Sequence, residues 1–183
     1  MRAGLPRILK LFQERRLPAS TSFNAGVIEA YPAASEAMLE AGWEFIGHGI
    51  HQKAMNHADG GEEALIQGAL ERIQRFTGHH PRGWLSPGLR ETVDTPDLLR
   101  KNGIDYVCDW CVDDLPSWMA TTHGPMVAMP YNLEINDSII YAVEKHATGE
   151  MAKRLAHTLR LFEEECEESP RVLAIGLHPH LVS

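Results

Sequence analysis

Apolar positions along the chain fall into two rhythms that alternate. Leu5, Ile8, Leu9, Leu11 and Phe12 recur at helical spacing and predict a helix over 5–15. A short β-like run, 19–23, follows Pro18. Ala34, Ala37, Met38 and Ala41 predict a second helix over 31–41, stopped by Gly42. Residues 43–46 read as a strand, 62–77 as a long helix closed by Gly78, and 83–85 as a strand. Thr95 stands where it can cap a helix over 96–102, with Pro96 at its first position and Gly103 as its stop. Residues 106–108 and 126–129 read as strands, 151–166 as an amphipathic helix, and 171–177 as a buried strand. Strand alternating with helix predicts a largely parallel sheet with helices outside it, and periodicity alone does not separate a barrel from an open sheet.

Length and composition narrow this picture. A chain of 183 residues suits one domain, 1–183, and a 44% apolar fraction is enough for a core. The formal net charge is −8, which argues against nucleic acid as a partner. No apolar run approaches the roughly 20 residues that span a bilayer, so no membrane partner is expected. Residues 1–10 lack the features of a secretory leader, and a cytoplasmic location is the default expectation. Cys108 and Cys111 have C-x-x-C spacing but no second pair, so they read as small buried residues at a strand end rather than zinc ligands.

Candidate chemistry gathers at one kind of position. His48 follows the strand 43–46, and Ser86, Pro87 and Gly88 follow 83–85. Asp109, Asp113 and Asp114 follow 106–108, Tyr131 and Glu134 follow 126–129, and His178 and His180 close 171–177. In a parallel sheet the carboxyl ends of strands converge on one mouth, where active sites form. Glu134, Asn136 and Asp137 are candidates for that mouth, although a turn accounts equally well for Asn136-Asp137.

These residues also carry a family resemblance. The run 42–49, ending in Gly47-His48-Gly49, resembles a metal-binding His motif of polysaccharide deacetylases. Pro81 to Gly88 resembles the family's third motif, Tyr106 to Trp110 the fourth, and Leu177-His178-Pro179 the fifth. The acidic stretch Asp113-Asp114 and the Trp84 wall are most similar to the allantoinase-like branch. The resemblance implies a distorted parallel β/α barrel, incomplete at both ends of this chain. It implies hydrolysis of a non-peptide carbon–nitrogen bond, either an N-acetyl amide on a carbohydrate or a cyclic amide such as allantoin. His178 and Asp109 are the implied catalytic residues. Trp84, Pro87, Gly88, Asp113, Asp114 and Glu134 are the implied substrate-binding residues. His48 and His51 are the implied ligands of zinc or another divalent metal.

The sequence departs from the family pattern at two places. Metal-dependent members place their two His four residues apart, but Gln52 stands four after His48. Leu85 stands where the third motif carries Arg. The metal-binding and basic Asp residues belong to a strand expected before residue 5. An alternative therefore stays open: a binding barrel that has kept its pocket and lost its metal. His57 is a further ligand candidate. A small-molecule or carbohydrate substrate is the expected partner, and an incomplete barrel exposing apolar edges is expected to associate with itself.

Overall fold

A computed structural model describes residues 3–55 and 60–181. His57 lies outside the described residues. A six-stranded sheet runs in the order β1 (Ser20–Phe23), β2 (Glu44–Gly47), β3 (Gly83–Trp84), β4 (Tyr106–Val107), β6 (Gly124–Ala128), β5 (Ser117–Thr121). Every neighbouring pair is parallel except β5 with β6. The sheet is open between β1 and β5, and its parallel strands bring their carboxyl ends to one edge.

Helices cover this sheet because their apolar faces need it. In α4 (Glu62–Thr77) the buried residues are Ile66, Ala69, Leu70 and Ile73, the i, i+3, i+4, i+7 stripe of one helical face. Two glutamates open that helix against its dipole, and Gly78 ends it in the left-handed region, donating its N–H to Gln74 O. Fully burying side chains of this size stabilises by about 1.5–3 kcal/mol each. α1 (Gly4–Arg15) buries Leu5, Ile8 and Leu9, and α3 (Pro32–Glu40) buries Met38. α5 (Thr95–Lys101) adds Leu99, and α6 (Glu150–Glu165) adds Phe162. A four-residue helix, α2 (Val27–Ala30), fills the connection that carried no helical signal.

Two close approaches depend on glycine. A Cβ at Gly47 would overlap the Trp84 ring, and one at Gly83 would overlap the Tyr106 ring. Each glycine lets an aromatic side chain of the next strand lie flat across it, so these short strands pack without a gap.

The fold corrects three sequence expectations. First, β5 was not expected: its residues alternate half-buried and exposed, with Trp118 at 79% exposure, a pattern suited to an edge strand. Second, Thr95 does not cap α5. Its hydroxyl accepts from Thr92 N at 2.8 Å and bonds to Glu62. Third, residues 171–177 form no regular strand. They lie beside the 3-10 turn Leu133–Ile135 and Asn136 rather than beside a strand, and only Gly176 bridges, to Asn136. Val172 N donates to Asp114 O at 2.9 Å, and Ile175 is exposed. Cys108 is buried as expected, but Cys111 is exposed, and both are free thiols. Among the described residues no helix is long and apolar enough to cross a membrane.

Candidate active site

His48 sits one residue beyond β2 and is almost fully buried. Its Nδ1 lies 2.5 Å from Leu85 O, at the end of the neighbouring strand β3. A carbonyl only accepts, so Nδ1 carries the proton and Nε2 keeps its lone pair. Burial, the largest influence, holds the imidazole below its ordinary pKa and so keeps it neutral. After burial and the Leu85 carbonyl, the side chains that influence this ring are those of Gln52 and His178. The β1 loop fixes the His48 loop from beneath. Asn24 donates to His48 O, Ala25 N to Gly49 O at 2.9 Å, and Gly26 N to Ile50 O at 2.9 Å.

His178 comes from the far end of the chain. Its Nδ1 lies 2.5 Å from Asp137 Oδ1, and its backbone N–H donates to Asp137 Oδ2 at 2.6 Å. Asp137 is wholly buried, whereas the His178 side chain is 41% exposed. The carboxylate therefore anchors the inner nitrogen and leaves Nε2 toward the open side. Asn136 prepares this geometry. Its Oδ1 accepts from Ser138 N at 2.9 Å and Ile139 N at 3.3 Å, starting the π-helical turn Ser138–Val143. Its Nδ2 donates to Tyr131 Oη at 3.0 Å.

Asp109 follows β4 and does not reach His178. Its Oδ1 accepts from Ser86 N at 2.8 Å, which pins the turn at Pro87–Leu89. The structure thus makes Asp109 a positioning residue, and the carboxylate that orients His178 is Asp137. From the sequence, Asp137 looked like half of an Asn-Asp turn. Burial was the signal that distinguished it, and the sequence does not display burial.

The other expected residues divide. Pro87 is buried in the pinned turn, and Gly88 has φ of 68° there, a left-handed value that glycine adopts without strain. Trp84 is corrected: it is wholly buried, with Nε1 donating to Ser86 Oγ at 3.0 Å, so it has no face for a ligand. Asp113 accepts from Asp114 N at 2.6 Å, and Asp114 accepts from Asn132 Nδ2 at 2.5 Å. Both carboxylates thus serve the loop's own conformation. Glu134 is exposed, and its carbonyl accepts from Arg154 at 3.3 Å. Trp110 is 45% exposed and shares an open groove of about 480 Å³ with Val93, Val112 and Trp118.

His51 packs beside Gly26. A Cβ at Gly26 would meet its ring at 3.0 Å, so the imidazole lies against the β1 loop. Among the described residues no three His, Cys, Asp or Glu side chains converge as metal ligands. His48 Nε2 with a neighbouring amide is not a zinc donor set. The described residues therefore do not by themselves make up a three-ligand set that fits the metal.

Comparison with known proteins places the fold in a family. Peptidoglycan deacetylase of Helicobacter pylori is 28% identical over 135 residues, covering 73% of this chain and 46% of that protein. The crystal structure titled "probable Polysaccharide deacetylase" of Pseudomonas aeruginosa PAO1 superposes with a TM-score of 0.89 at 30% identity, covering 99% of this chain and 61% of that one. Puue allantoinase gives the same TM-score, 0.89, at 30% identity and 61% coverage of its chain. The chain thus spans about half to three fifths of the length of these relatives. The polysaccharide deacetylase family model matches residues 2–107, more than half of the chain, and the chain belongs to the polysaccharide deacetylase family.

Proposed function

We propose that this chain forms part of a hydrolase of non-peptide carbon–nitrogen bonds, acting on an N-acetylated carbohydrate or a cyclic amide. The observation that carries this reading is the Asp137–His178 pair, with a wholly buried carboxylate holding an accessible imidazole. A water molecule adds to the amide carbonyl, releasing one of its protons to the surrounding water, and the C–N bond then breaks. The departing nitrogen needs a proton, and His178 Nε2 supplies it, while Asp137 stabilises the imidazolium that donates it. His48, neutral and fixed through Nδ1, presents Nε2 as an acceptor on the same edge of the sheet. The groove beside Trp110 and Trp118 offers indole faces on which a sugar ring stacks. No step here is routed through a metal, because the residues described do not make a site for one.

A second reading, a binding barrel without turnover, is favoured by Gln52 beside His48 and by the position of His51. Hydrolysis assays on an N-acetylated chitooligosaccharide and on allantoin, each with and without chelator, separate the readings. Release of acetate or opening of the ureide supports a hydrolase, and the substrate turned over names its branch. Saturable binding of either compound without any product supports the binding barrel.

A further inference from the structure

Glu91 and Asp109 present an unusual pair of atoms. Glu91 Oε2 and Asp109 Oδ2 are both sealed from solvent, and among the described residues neither has a hydrogen-bond partner. A buried, ionised and unpaired carboxylate oxygen is costly, and two side by side are costlier. A single proton between them relieves both, because one carboxyl then donates to the other. We propose that Glu91 and Asp109 share one proton, and that this shared proton makes Glu91 a positioning residue that holds the turn supporting His48.

The path is short. In the shared-proton pair Glu91 is the donor to Asp109, whose other oxygen, Oδ1, accepts from Ser86 N at 2.8 Å. One residue back, Leu85 O receives His48 Nδ1–H at 2.5 Å. Ionising Glu91 places two negative charges together behind that turn and pushes them apart. The ring of His48 then loses its fixed acceptor. Burial, and after it the charge of Asp109, raises the Glu91 carboxyl to about 8. Burial raises Asp109 as well.

The other groups facing the pair do not replace this effect. Glu62, from the start of α4, bonds to the hydroxyls of Thr92 and Thr95 and adds negative charge toward Glu91. The Trp110 indole reaches Glu91 but does not titrate. Burial raises the thiols of Cys108 and Cys111, so both stay neutral in the relevant range. His178 acts on His48 directly and is common to every variant.

Carboxyl 13C and histidine 15N resonances of the full chain, followed from pH 5 to pH 10, test this independently of any substrate. The Glu91 carboxyl is expected to inflect near pH 8, with the His48 ring nitrogens shifting in step. In Glu91→Gln the amide donates to Asp109 at every pH, so the alkaline His48 inflection disappears. Glu91 titrating in the ordinary carboxylate range overturns the proposal, and so does a Glu91→Gln profile that keeps the wild-type inflection. Should the variant fold poorly, the wild-type carboxyl titration decides alone.

Discussion

Asp137 gives one oxygen to the His178 ring and the other to the His178 backbone amide, so a single substitution there disturbs both the tautomer and the position of the imidazole. Asp137→Asn is expected to lower kcat by roughly 10²–10⁴-fold, the usual worth of a positioned proton donor, with little change in KM. Steady-state kinetics check it, and a change confined to KM would assign the pair to binding. Gly47→Ala tests packing in the same way. The new methyl group enters the Trp84 ring, which has no room to withdraw, and about 1–3 kcal/mol of stability is expected to be lost in denaturant titration. The sequence drew attention to His48 because it follows a strand between two glycines, and to His178 because it precedes Pro179, although the strand expected before His178 does not form. Asp137 was not, because its neighbour Asn136 explains a turn equally well. Trp84 was misassigned because an aromatic residue in a family motif looks the same whether its ring faces solvent or core.

Strong periodicity made the helices readable, and α4 matches its expected span of 62–77. The strands were read correctly where they are central. The edge strand β5 and the 171–177 segment were not, since edge pairing and loop pairing leave no fixed apolar pattern. The π-helical turn Ser138–Val143 is a case where one side chain governs an element. Asn136 Oδ1 satisfies the amides of Ser138 and Ile139, which have no partner earlier in the turn. Asn136→Ala is expected to cost about 0.5–2 kcal/mol, as loss of a helix cap does, and to loosen the bridge to Gly176. Hydrogen exchange at the Asp137 and Gly176 amides reports that loosening directly, since those amides donate to Gly176 O and Ile135 O.

On the scale of the whole molecule, His48 lies buried at the carboxyl end of β2, and stability should respond to pH through it. His48 has a folded pKa below 6.5, so the unfolded chain takes up its proton first as pH falls. Its contribution to stability is present above about pH 6.5 and is lost as pH falls through the folded value. His48→Gln is therefore expected to flatten the acid limb of the stability profile, and an unchanged limb would show that other groups set it. The central claim is that His178 supplies the proton that lets an amide nitrogen leave. Its most direct test is product release by the full-length protein and its His178→Ala variant on N-acetylated chitooligosaccharide and on allantoin. Turnover by the parent on one substrate, lost in the variant while that substrate still binds, is the predicted result. Equal turnover in both would contradict it.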